Sequence, residues 1–223
     1  MSDIVDVKAG IEAENDKYAA EVRKLLRETH TRLINLMASP GAGKTSLLEQ
    51  TIDGLKGAYK IAVLEADVDA DVDAKRIEAH GAKAVQIHTG GSCHMDASMT
   101  LQALQTLDLN QYDLIFLENV GNLVCPAEFD TGADLKVMIL SVPEGDDKPL
   151  KYPLMFQVTD LVLVNKIDTD EIFDFDLQKL EKNIAPLNKH ARIIPISAFT
   201  GSGVENWLVY LREKLLEWNY SCH

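Results

Sequence analysis

The chain reads as an α/β fold, a three-layer sandwich with a mostly parallel central sheet, and three observations carry that reading. Short continuous apolar runs recur at Leu33–Met37, Lys60–Leu64, Val85–Ile87, Leu114–Leu117, Val137–Leu140, Leu161–Val164 and Ile193–Ile196. Each is too short for a helix and shows no alternation, the pattern of strands buried on both faces. Helical stretches at about 71–80, 95–107, 174–184 and 203–217 lie between most of them. Strands alternating with helices imply parallel pairing, with helices covering both faces. The first run also feeds a glycine turn, Ala38-Ser39-Pro40-Gly41-Ala42-Gly43-Lys44-Thr45-Ser46, that opens a helix. Strand, glycine turn and helix in that order form the setting of a phosphate-binding P-loop.

Taken in order, residues 11–29 read as a helix whose apolar face carries Ile11, Tyr18, Val22, Leu25 and Leu26. Residues 1–30 are then an N-terminal helical extension, packed on the sheet or on a second subunit, and residues 31–223 are the nucleotide-binding domain. A length of 223 residues suits one structural domain overall. In the P-loop, Gly41, Ala42 and Gly43 turn backbone N–H groups inward around phosphate oxygens, and the helix N-terminus at Ser46 adds its dipole. Lys44 is placed to reach the β- and γ-phosphates, and the Thr45 hydroxyl to ligate Mg²⁺. The strict motif begins with Gly, where this chain has Ala38.

After the second strand, Glu65-Ala66-Asp67-Val68-Asp69-Ala70-Asp71-Val72-Asp73 crowds carboxylates into one loop, which a bound cation makes tolerable. Asp67, nearest the strand end, is the expected magnesium-linked carboxylate, and Asp73 the residue expected to orient an attacking water; Asp69 and Asp71 read as a solvated turn. The run Leu114–Leu117 leads into Glu118-Asn119-Val120-Gly121-Asn122, a Walker B segment with Glu118 in place of the usual Asp as a magnesium ligand and Gly121 poised to sense the γ-phosphate. After the run Leu161–Val164 comes Asn165-Lys166-Ile167-Asp168, and after the final run Ser197-Ala198. A carboxylate at Asp168 accepts from the N1–H and amino group of guanine, a donor pair adenine lacks, while the Lys166 stem lies over the base. These residues resemble the guanine-specificity motifs of GTPases, so GTP is expected over ATP.

Cys93, His94 and Cys125 each follow a strand and so fall on the carboxyl edge of the sheet, where nucleotide loops also gather. Cys93 is expected at a helix N-terminus, which would favour its thiolate. Thiolate and imidazole suit Zn²⁺ or Ni²⁺, and a two-fold dimer would supply the ligands that three residues leave missing. Cys222-His223 resembles a ligand pair, but a chain end frays. Three cysteines cannot all pair, and a reducing compartment is expected.

The formal charge of −13 repels phosphate backbones and anionic lipid, so nucleic acid and membrane surfaces are excluded as partners. No apolar run nears the roughly 20 residues of a membrane span, and Met-Ser-Asp-Ile-Val-Asp is not the start of a signal peptide; a cytoplasmic location is expected.

Together the motifs resemble the nickel-handling and cobalamin-linked branch of the signal-recognition/MinD-like GTPases, and within it the HypB family of hydrogenase-maturation proteins, related to UreG. The residues that carry the resemblance are Gly90-Gly91-Ser92-Cys93-His94-Met95, the segment from Glu118 to Cys125-Pro126, and Glu144 to Pro153. It implies a P-loop GTPase, binding GTP/GDP and Mg²⁺, that carries nickel or zinc on Cys93, His94 and Cys125. It further implies a homodimer with the metal at its interface, acting with hydrogenase maturation factors or the hydrogenase large subunit to insert nickel. The N-terminal cysteine motif and His-rich tract of some members are absent, since the first 30 residues hold no Cys and one His. No arginine finger is identifiable, so unassisted hydrolysis is expected near ~10⁻⁴–10⁻³ s⁻¹. The alternatives are a GTPase of the same class serving urease-type maturation, a P-loop ATPase or kinase with structural cysteines, and a switch module that carries no metal.

Overall fold

The computed structural model describes residues 7–66 and 70–220. Asp67 and Cys222-His223 lie outside the described residues. The chain opens with helix α1 (Val7–Thr29), strand β1 (Arg32–Ala38), helix α2 (Lys44–Leu55), strand β2 (Ile61–Glu65), helix α3 (Ala70–Ala79) and strand β3 (Lys83–Gln86). It continues through α4 (Ala97–Leu104), β4 (Leu114–Glu118), the single turn α5 (Cys125–Glu128) and β5 (Leu135–Ser141). Two short helices, α6 (Lys148–Lys151) and α7 (Pro153–Val158), precede β6 (Leu161–Asn165), α8 (Leu177–Ile184), β7 (Arg192–Pro195) and α9 (Val204–Tyr220).

The seven strands form one sheet in the order β3-β2-β4-β1-β5-β6-β7, and every pairing is parallel. Strand β1 lies in the middle with all seven residues buried. The apolar runs alternate between the two faces of the sheet and feed three cores, the third formed by Met138, Leu140, Val162 and Val164 with Phe156 of α7 and Leu180 of α8. Phe116 and Val63 face Leu47, Leu48 and Ile52 of α2 and Trp207 and Leu211 of α9. Ile115, Leu117 and Leu64 face Val22 and Leu26 of α1 and Leu104 of α4. The indole N–H of the fully buried Trp207 donates to Thr51 Oγ1 at 2.9 Å, so its burial leaves no unpaired donor.

Two helices start later than their apolar pattern, each for the same reason. Asp96 caps α4 by accepting from the Met99 N–H at 2.8 Å, which leaves Cys93 and His94 in the loop before the helix. Asp176 accepts from the N–H groups of Gln178 and Lys179 and sets the start of α8. Short polar side chains at these positions satisfy the open donors of a first turn and thereby fix where helix begins.

Candidate functional site

The carboxyl ends of β1, β2, β4 and β6 open on one cleft of about 440 Å³, lined by Pro40, Gly41, Gly43, Lys44, Thr45, Ser46, Asp73, Arg76, Glu118 and Lys166. Gly43 adopts φ 102°, a conformation that L side chains rarely take, and a Cβ there would overlap the Asn165 amide. That space matters because Asn165 holds two walls together. Its Nδ2 donates to Ala42 O at 2.8 Å, and its Oδ1 accepts from the Ala198 N–H at 2.9 Å. Lys166, at φ 64°, sends Nζ back across the loop to Gly41 O at 2.7 Å. Asp168 accepts from the Ser197 hydroxyl, which in turn accepts from Thr200 N–H at 3.0 Å. The phosphate loop and the two proposed base-reading segments are thus one hydrogen-bonded unit.

Beneath the P-loop, the Thr45 hydroxyl donates to Glu118 Oε1 at 3.1 Å, and Lys44 Nζ lies 4.0 Å from the same oxygen. Both Lys44 and Glu118 are buried. Glu65 stands opposite Glu118 in the β2–β4 register. It is 1 % exposed, and neither of its oxygens has a hydrogen-bond partner among the described residues. Burial first, and then the charge of Glu118 and Asp73, push its pKa up to about 8. Asp73 lines the cleft from α3 and accepts from Arg76 at 3.1 Å. Arg76 is also held by Glu49 through two hydrogen bonds of 2.8 and 3.0 Å. Sequence reasoning passed over Glu65 and Arg76: the first because its neighbour Glu118 is a cross-strand partner, the second because it sits on a helix one turn beyond the acidic loop.

A second cluster adjoins the first. One ligand atom from each of Cys93, His94 and Cys125 lies within 4.8 Å of the others. The two sulfurs are 2.9 Å apart, and Cys93 Sγ is 3.8 Å from His94 Nδ1. The His94 ring stacks on Phe129, centroids 4.3 Å apart, and burial lowers its pKa, which favours the neutral imidazole that a metal takes as ligand. The expectation that a helix N-terminus acts on the Cys93 thiol is corrected. Asp96 occupies that cap, and it is Cys125 that opens a helix, the single turn α5. The Cys125 thiol is pushed up by its hydrogen bond with Cys93 and by burial.

Two asparagines join the clusters. Asn119, fully buried, accepts from the Met95 N–H at 2.9 Å and donates to Asn35 Oδ1 of β1 at 3.2 Å. Asn122 donates to Cys93 O at 3.3 Å. Between them Gly121 abuts the P-loop so closely that a Cβ would meet Pro40 at 3.0 Å. The carboxylate of the P-loop site and the thiols are therefore connected through one short segment, 118–125.

Comparison with known proteins follows the same lines. The profile of the CobW/HypB/UreG nucleotide-binding domain matches residues 32–195. The chain is 46% identical to the hydrogenase maturation factor HypB of Azotobacter vinelandii over 96% of its own length and 71% of that protein's. Among solved structures it superimposes on HypB from Archaeoglobus fulgidus with TM-score 0.85 at 39% identity, covering 91% of this chain and 99% of that one. It superimposes on the nickel complex of HypB from Helicobacter pylori with TM-score 0.86 at 38% identity, covering 92% and 96%. No helix among the described residues is long and apolar enough to cross a membrane.

Proposed function

The chain belongs to the CobW/HypB/UreG family of P-loop nucleotide-binding proteins, and from that premise we propose that it is a GTP-hydrolysing metallochaperone that loads nickel into a hydrogenase. Gly41, Ala42, Gly43 and Ser46 cradle the phosphates through backbone N–H groups, and Lys44 neutralises the β- and γ-phosphates. Asp168 reads the guanine edge, with Asn165, Lys166, Ser197 and Ala198 shaping the base pocket. Asp73 orients the water that attacks the γ-phosphorus; the bond to the β–γ bridging oxygen breaks, leaving GDP and inorganic phosphate.

The donor set fits a hard divalent cation. A threonine hydroxyl 3.1 Å from Glu118 and a buried carboxyl at Glu65 with no partner among the described residues are the oxygen chemistry magnesium takes. Thr45, Asp67 and Glu118 would hold it, and when bound it supplies neutralisation of phosphate charge. Among the described residues Arg76 is the cation that α3 brings to the cleft wall, and Glu49 and Asp73 hold it; turnover without a partner should therefore be slow.

Nickel is cargo here. Cys93, His94 and Cys125 bind it, or zinc, and the same ligands from a two-fold partner complete the coordination. The observation that carries this reading is contiguity: Asn122 holds the Cys93 carbonyl while its neighbour Gly121 presses on Pro40. Movement of the P-loop on hydrolysis then alters ligand spacing and hands the metal on. The test is equilibrium dialysis of ⁶³Ni²⁺ against the chain with GDP or a non-hydrolysable GTP analogue. Nickel affinity should differ between the two nucleotides, and Cys93→Ala should lose the site. Equal nickel stoichiometry in Cys93→Ala would sink the ligand assignment; normal GTP turnover in Lys44→Ala would sink the P-loop assignment.

A further inference from the structure

The buried stripe of α1 contains Ala19, Val22 and Leu26, and one turn before Ala19 the same face carries Asn15, 8 % exposed. A carboxamide in an apolar stripe is costly unless both its ends are satisfied. Both are, and neither by its own helix. Asn15 Oδ1 accepts from the Ala97 N–H at 3.0 Å, at the first residue of α4. Asn15 Nδ2 donates to Asp130 O at 2.9 Å, just past α5. Ala97 ends the loop that carries Cys93 and His94, and Asp130 ends the segment that carries Cys125. A single side chain thus spans the two pieces of backbone whose separation sets the distance between the sulfurs.

Two further contacts hold α1 at the same place. Arg23 pairs with the Asp130 carboxylate, whose other oxygen accepts from the Gly132 N–H at 2.9 Å. Gly132 lies so near α1 that a Cβ would stand 2.6 Å from Val22 Cβ and 2.9 Å from Ala19 O. The segment following Cys125 therefore has no room to move closer to the helix, while the Arg23 pair and the Asn15 hydrogen bond hold it from drawing away, and Asn15 fixes its position along α1.

We infer that Asn15 is a positioning residue for the sulfur–imidazole cluster, α1 acting as a splint between the Cys93–His94 loop and the Cys125 segment. This rests on the metal-binding reading above. Residues that orient metal ligands from behind typically account for about 10- to 100-fold in affinity. Asn15 holds backbone rather than a ligand atom, so the lower figure applies.

The experiment is Co²⁺ titration of the full chain, followed by the thiolate-to-cobalt charge-transfer band and the d–d bands, which report ligand geometry directly. Asn15→Ala should weaken Co²⁺ binding about 10-fold and shift the d–d envelope, with guanine nucleotide affinity unchanged. Arg23→Ala, a half-exposed position that folding tolerates more readily, should weaken it several-fold in the same direction. Wild-type bands and affinity in both variants, beside loss of the band in Cys93→Ala, would overturn the splint and leave the metal site standing. A wild-type chain that gives no thiolate band at all would overturn the metal reading, and the splint with it.

Discussion

Glu65→Gln isolates the energetic consequence of a lone carboxyl at the end of β2. The side chain is buried, faces Glu118 across the β2–β4 pair and lacks a hydrogen-bond partner among the described residues. Its pKa is about 8 in the folded chain against an ordinary 4.5. A group whose folded pKa is raised contributes stability that is fully present below the unfolded value and is lost as pH climbs through the folded one. Between those limits the unfolded carboxyl is ionised while the folded one keeps its proton, so each pH unit costs about 1.4 kcal/mol. From pH 5 to pH 8 this group alone therefore removes about 3 kcal/mol from the chain free of metal and nucleotide. Glutamine matches the neutral acid in shape and does not titrate. Urea unfolding and thermal melting in EDTA at pH 5 and pH 8 should give similar stabilities for the two proteins at pH 5. At pH 8 the variant should be the more stable, with a melting temperature higher by roughly 6–12 °C. Parallel pH profiles for wild type and Glu65→Gln would refute the reasoning.

Other perturbations address the nucleotide and metal clusters separately. If Asp168 reads guanine as proposed, Asp168→Asn replaces an acceptor of two charge-assisted hydrogen bonds from the base with a group that also donates. The GTP-over-ATP preference should fall about 10²-fold, read by competition against a fluorescent guanine nucleotide; undiminished preference would remove Asp168 from base reading. Gly43→Ala should displace the Asn165 amide and strain φ 102°, costing about 2–3 kcal/mol and close to 10²-fold in nucleotide affinity, checked by the same titration. Because the Cys125 thiol is raised and must lose its proton to bind metal, Ni²⁺ affinity should climb steadily as pH rises from 6 to 8.5. Calorimetry in buffers of different ionisation enthalpy should register proton release, and a flat profile would argue against thiolate ligation.

Much of the architecture was legible because parallel strands covered on both faces advertise themselves as unbroken apolar runs. Lys60–Leu64 and Leu161–Val164 lie within a residue of the observed strands. The convergence of Cys93, His94 and Cys125 was legible for a geometric reason, since parallel strands deliver their following loops to one edge. Less visible were features that depend on which strand neighbours which. Glu65 owes its raised pKa to burial first and then to Glu118, 53 residues away and paired only through register. Arg76 enters the cleft because α3 packs against α2, where Glu49 holds it. Asn15 is one polar residue in an amphipathic helix until both ends of its amide are traced to distant backbone. Start points of helices slipped where an aspartate, Asp96 or Asp176, met the first turn's N–H groups ahead of the apolar pattern.

The amide of Asn165 has a consequence for how this protein could change its choice of nucleotide. Because the same carboxamide steadies the carbonyl of Ala42 and the turn at Ala198, the proposed seat for the triphosphate and the proposed wall for the purine are tied at their midpoint. A mutation that reshapes one end tugs on the other. Drift toward a different base therefore threatens phosphate binding before it delivers a new preference, and the pocket resists relaxation one residue at a time.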